Sequence, residues 1–160
     1  MPDVSVIPDV IDDAYLNAVL AELDEVDGEA TRLVKATNRF PREAADLLNA
    51  IYSDDALRQQ ANLWLESFAE DPELKGILPN PGNRKTTVLR LIEASPTCVW
   101  MAVRRDYSQV ATDATPGPVE YVALRPLDRS NDPQGRNRTA WMITTDGYRS
   151  DDTEPSNPCR

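Results

Sequence analysis

No histidine occurs anywhere in this chain. Its absence removes Ser-His-Asp and Cys-His catalysis, the side chain that most often moves protons at neutral pH, and the commonest zinc and haem ligand. Cysteine is scarce too. Cys98 and Cys159 are the two thiols present, and they stand too far apart in sequence to form a zinc motif. Long apolar runs are missing: the stretch from Val119 to Leu124 is interrupted by Glu120, and roughly 20 consecutive apolar residues are needed to span a bilayer. The opening residues, Met1 to Val10, lack the basic and apolar regions of a signal peptide, so an exported form would have lost its signal already. Positive charge is in deficit, with 17 Lys and Arg against 27 Asp and Glu for a net charge of −10. Nucleic acid and anionic membrane surfaces repel such a protein.

The deficit is uneven. Residues 1–80 hold 6 basic and 17 acidic side chains, a balance of −11, whereas residues 81–160 hold 11 and 10. Acidity therefore belongs to the first half, where Asp24, Glu25, Asp27 and Glu29 form a candidate patch for a basic partner; a solvated surface is the plainer reading. The 160 residues are 41% hydrophobic and 28% charged, the make-up of one ordinary globular domain that needs no metal or cofactor to form a core.

Hydrophobic spacing divides the chain. Residues 1–10, with two prolines, read as an extended leader or tether, and residues 11–160 as one domain. Tyr15, Leu16, Val19, Leu20, Leu23 and Val26 follow at helical spacing, which predicts a helix over 12–27 ended or kinked at Gly28 and a second helical stretch over 29–39. Phe40-Pro41 breaks the pattern. A third helix is predicted from Glu43 to Tyr52, and a fourth over 54–70, capped by Ser53 and striped by Leu57, Ala61, Trp64, Leu65 and Phe68. The turn-rich segment Leu78 to Asn83 separates this helical half, 11–78, from a β half and tail, 84–160.

Beyond that segment apolar and polar residues alternate. Strands are predicted at Thr86–Ala94, Thr97–Arg105, Val119–Arg125 and Thr139–Thr145. Their connections need no crossover helix, so the sheet should be mostly antiparallel. The fold class read from this order is α+β, a helical cluster packed on a curved four-stranded sheet. Both faces of that sheet are apolar: Val99, Met101 and Val103 oppose Cys98, Trp100 and Ala102, and Val122 and Leu124 oppose Tyr121 and Ala123. The second face needs a cover, which could be a small apolar ligand, a protein partner or a second copy of the chain.

Motifs add little. Gly82 to Thr87 has the flavour of a phosphate-binding loop but lacks the glycine before Lys85 and enters a strand where a helix is required. Asp128, Ser130, Asn131 and Asp132 offer oxygen ligands without the glycine and glutamate positions of a calcium loop. Asp151, Asp152 and Glu154 read as a solvated tail, and Asn137-Arg138-Thr139 as a chance glycosylation triplet. No metal and no cofactor is expected. Cys98 and Cys159 are either unrelated thiols or a disulfide. The position of Cys159 at the end of a polar tail favours a bridge to Cys98 that ties the tail to the sheet, and bridges persist in oxidising compartments.

Helices first and an antiparallel sheet afterwards resembles the cystatin-like and NTF2-like architectures over roughly residues 12–145. The likeness lies in element order alone and implies no activity. The sequence-based expectation is a non-catalytic, exported or cell-envelope module that binds a protein partner, itself or a small ligand, with Trp100, Tyr121 and Trp141 beside Asp106, Glu120 or Asp146 as its site residues. Two alternatives stand beside it: an enzyme using one of those carboxylates in an aromatic cleft, and a cytoplasmic or virion structural component.

Overall fold

The computed structural model describes residues 1–53, 57–63, 76–112, 117–147 and 153–160. Helix α1 spans Asp13–Thr37. Asp12 caps it by accepting from the Tyr15 amide at 2.8 Å, which satisfies one of the free N–H groups of the first turn. Asn38 stops it in a left-handed conformation at φ 49°. The two helices expected on either side of Gly28 are thus one helix. A single glycine weakens a helix by about 1 kcal/mol without breaking it, and here it serves packing: a Cβ on Gly28 would stand 2.0 Å from Asn83 Oδ1.

Pro41 precedes helix α2, Arg42–Ile51, which buries Ala44, Leu47, Leu48 and Ile51. Residues 57–63 are helical; the remainder of the expected fourth helix, including Trp64, Leu65 and Phe68, lies outside the described residues. Ser53, expected to cap it, donates its amide to the Ile143 carbonyl at 3.0 Å.

Four strands follow, β1 Lys85–Ser95, β2 Cys98–Asp106, β3 Glu120–Pro126 and β4 Trp141–Gly147. They pair antiparallel in the order β1-β2-β3-β4, an open meander. Pro96 and Thr97 make the turn between β1 and β2, closed by the Ser95–Cys98 pair. Register shifts interrupt β1 and the β3–β4 ladder, and such irregularities bend a sheet. A 3-10 turn, Arg129–Asn131, sits in the β3–β4 connection.

One face carries Val88, Val99, Met101, Val103, Val122, Leu124, Trp141 and Ile143 against α1 and α2. Trp141 donates its indole N–H to Tyr15 Oη at 2.8 Å, and Tyr15 donates onward to the Val6 carbonyl at 2.7 Å, so the N-terminal segment also lies on this core. The opposite face carries Trp100, Ala102, Tyr121 and Ala123. Its cover includes the chain's own tail. A Cys98–Cys159 disulfide holds the tail down, Cys159 packs against the aromatic cluster, Arg125 donates to the Pro158 carbonyl at 3.0 Å, and Arg90 and Arg160 pair with Glu154 and Glu93. No helix among the described residues is long and apolar enough to cross a membrane.

Candidate functional site

Where α1 crosses the start of β1, the apolar core gives way to charge. Asp24 lies on the buried stripe of α1 yet is only 3% exposed. Its carboxylate accepts from Arg84 Nε at 2.8 Å, from the Thr86 amide at 2.7 Å and from Thr86 Oγ1 at 2.8 Å. Arg105 extends the chain of contacts from β2, because alternation along that strand points it toward the helices with Val103 and Met101. It donates from Nε to Thr86 Oγ1 at 3.2 Å and from Nη1 to Asp146 Oδ1 at 2.5 Å, and its Nη1 lies 3.6 Å from Glu120 Oε1. On the other side Arg84 Nη1 lies 3.6 Å from Asp27 Oδ1, and its Nη2 donates to Tyr52 Oη at 3.4 Å.

The centre of this cluster is sealed and its rim is not. Arg84 and Arg105 are 7% and 3% exposed, whereas the side chains of Glu120, Asp146 and Asp27 keep 17%, 12% and 22%. Burial pushes the Asp27 and Glu120 carboxyls above the usual carboxylate range, against the pull of Arg84 on the first and Arg105 on the second. Burial likewise pushes Tyr52 up to about 12 and raises Tyr107. It opposes the charged form of Arg84, but Asp27, Tyr52 and Asp24 outweigh it and keep the guanidinium ionised. Three groups of this cluster remain poorly matched by the described residues. Asp27 and Glu120 each meet a guanidinium at no better than 3.6 Å, and Arg105 Nη2 is buried with no acceptor.

The structure distributes the residues singled out in the sequence over three places. Trp100 and Tyr121 stack with ring centroids 5.7 Å apart, on the face under the tail, where the Trp100 indole N–H has no partner. Trp141 is on the other face, in the main core. Glu120 and Asp146 meet at Arg105, also on the helix side. Asp106 is apart from them all, exposed and held below the ordinary carboxylate range by the amide and hydroxyl of Ser108. Thus two aromatic residues converge and two carboxylates converge, on opposite sides of the sheet.

The four acids of the expected patch on α1 all have partners within the chain, Asp24 and Asp27 withdrawn from the surface and Glu25 and Glu29 still exposed. Asp24 and Asp27 face Arg84, Glu25 accepts from Asn83 and Arg32, and Glu29 pairs with Arg136. The phosphate-loop-like segment has a structural task instead, since Asn83 bonds to α1 while Arg84 and Thr86 hold Asp24. Asp128 and Asp132 spend their carboxylates on backbone amides of their own loop. Asn137 is 1% exposed, and the nitrogen a glycan would need donates to the Ala50 and Trp141 carbonyls, each at 2.8 Å. An open groove of about 290 Å³ between α2 and the 129–136 loop is lined mainly by Arg42, Asp46, Asn49, Asp132, Gln134 and Arg136.

Sequence reading passed over Arg84, Arg105 and Asp27 in this role. The one available signal was Arg105 itself, a charge in register with Val99, Met101 and Val103 on an otherwise apolar face. Among the described residues no group of acidic, cysteine or histidine side chains is placed to hold a metal. No family model matches the chain, and neither a curated protein nor a solved structure does.

Proposed function

We propose that this chain is a non-catalytic binding module that works in an oxidising compartment and takes its ligand at the charged mouth between α1 and the sheet. The observation that carries the reading is the meeting of Glu120 and Asp146 on Arg105, with Asp27 on the neighbouring Arg84, at a place where the guanidiniums are deeply buried and the carboxylates at the rim still reach solvent. Charges fixed in this way cost nothing to organise when a ligand arrives. Protein contact on the second sheet face, the sequence-based preference, is less favoured because the tail lies over that face. The disulfide supports an exported setting, since glutathione and thioredoxin keep cytosolic thiols reduced.

A fragment screen by ligand-observed NMR tests the reading. Hits that lose binding in Glu120→Gln or Arg105→Lys support it, and hits indifferent to both overturn it. An enzyme is the second reading, favoured by the raised pKa of Glu120, which suits a general acid. Turnover of a hit that Glu120→Gln abolishes while binding persists would replace the first reading with the second.

A further inference from the structure

The ion-pair network between α1 and the sheet is out of balance. Asp24 and Asp27 from α1 meet Arg84, and Glu120 from β3 and Asp146 from β4 meet Arg105. Fully ionised, four carboxylates would face two guanidiniums and leave two negative charges uncompensated. Lys85 brings no relief, because it is exposed and pairs with Asp106 in the β1–β2 register while its neighbour Thr86 turns inward. A carboxylate withdrawn from water without a full counter-charge binds a proton more readily. Hydrogen bonding selects the acids that take it. Asp24 accepts three bonds of 2.7–2.8 Å and Asp146 one of 2.5 Å, all of which protonation would weaken. Asp27 and Glu120 stand 3.6 Å from their guanidiniums and lose least.

We propose that the junction of α1 with the sheet is a pH-operated latch, closed by protons held on Asp27 and Glu120 and loosened when those protons leave. The electrostatics agree with the geometry. Burial raises both acids, Asp24 and Asp146 add to the effect at Asp27, and Asp146 adds to it at Glu120, against the pull of Arg84 and Arg105. Tyr52 and Tyr107 also face the network, but burial raises them too and keeps them neutral. The folded chain therefore holds these protons more tightly than the unfolded chain. The latch is fully set below the ordinary carboxylate range, relaxes as pH rises through the raised range and stays relaxed above it. The effect belongs to the network itself and does not depend on a ligand at its rim.

Two NMR measurements on the intact, disulfide-bonded chain test the latch. Side-chain carboxyl carbons are titrated first, with Asp106 and Asp128, both held low by their own loops, as internal references. Asp27 and Glu120 are expected to titrate above these two. Hydrogen exchange, corrected for the intrinsic pH dependence of each amide, is then followed at Thr86, whose N–H is held by Asp24, and at Trp141, at the opposite end of β4 from Asp146. Protection at Thr86 should fall about tenfold for each pH unit by which a measured midpoint exceeds that of the unfolded chain, with Trp141 unchanged. Glu120→Gln and Asp27→Asn keep side-chain size and imitate the protonated acids. The double variant, with a native-like amide spectrum, should keep Thr86 protected across the same pH range. Titration of Asp27 and Glu120 together with Asp106 and Asp128 would mean that no proton is held and would overturn the proposal. Constant protection at Thr86, or an equal fall at Thr86 and Trp141, overturns the latch, the first because nothing loosens and the second because the whole fold does. None of these outcomes bears on the fragment screen, so the binding reading stands or falls separately.

Discussion

Asp24 joins the two halves of the chain through one carboxylate. It receives three hydrogen bonds from Arg84 and Thr86, which lie 60 and 62 positions further along. Asp24→Ala would leave Arg84 buried beside the more distant Asp27, and breaking a buried pair from one side typically costs about 3–5 kcal/mol. Urea unfolding should show a lower midpoint, and a loss under 1 kcal/mol would mean that Asp24 contributes only packing. Glu120 is expected to behave in the opposite sense. Burial raises its pKa in the folded chain, so the folded form holds that proton more tightly than the unfolded form. Its contribution to stability is therefore greatest at acidic pH and falls as pH rises from the ordinary glutamate range through the raised value, then stays at the lower level. Glutamine resembles the protonated acid. Glu120→Gln should be more stable than the parent near neutral pH, with the difference fading below about pH 4. Equal midpoints at both pH values would contradict the assigned environment. A gain in stability with a loss of binding is the trade expected of a functional charge.

At the level of elements, α1 depends on the glycine in its middle. In an exposed helix Gly→Ala stabilises by roughly 1 kcal/mol. Here the methyl group would meet the Asn83 side chain, which is bonded to both Glu25 and Arg32. Gly28→Ala should therefore lose about 1–3 kcal/mol, the usual range for overpacking, and a higher melting temperature would show that Asn83 moves aside without penalty. The β3–β4 connection is organised by Asn137 in a comparable way. Its amide nitrogen joins the end of α2 at Ala50 to β4 at Trp141, and its oxygen accepts from Thr139. Asn137→Asp keeps the shape but replaces that donor by a charge facing two carbonyls, and should cost more than 2 kcal/mol, in line with removal of a buried hydrogen-bond donor.

For the molecule as a whole, the disulfide determines what the outer face of the sheet is. The bridge closes a loop of sequence separation 61, which the chain-entropy model values at about 4 kcal/mol. Reduction should lower the unfolding midpoint accordingly and admit water to the face that carries Trp100 and Tyr121. A red shift of tryptophan emission before global unfolding is the expected signature. An unchanged spectrum and midpoint after complete reduction would show that Glu154, Pro158 and Arg160 hold the tail without the bridge.

Much of this architecture could be read from the chain. Periodicity near 3.6 followed by alternation predicted helices and then strands, and the short polar connections predicted antiparallel pairing, because these features depend on neighbours in sequence. Cys159 in its polar tail announced the bridge to Cys98 for a similar reason: a single residue was out of keeping with its surroundings. The continuity of α1 through Gly28 was hidden, because a glycine that ends a helix and one that admits Asn83 look alike until the packing partner is known. The site was legible only in part. Glu120 and Asp146 stand out in the sequence as candidate carboxylates and Asp24 as part of an acidic patch, but Arg84 and Arg105 are ordinary surface-type residues whose charges become informative only when burial brings them within a few ångströms of those acids. Composition and pattern determined the class of fold and the staple, which are local or compositional properties. The tertiary structure alone decided which charges are paired, which face the tail covers and where a donor is left without an acceptor, since electrostatic energy depends on distance and solvent exclusion rather than on sequence.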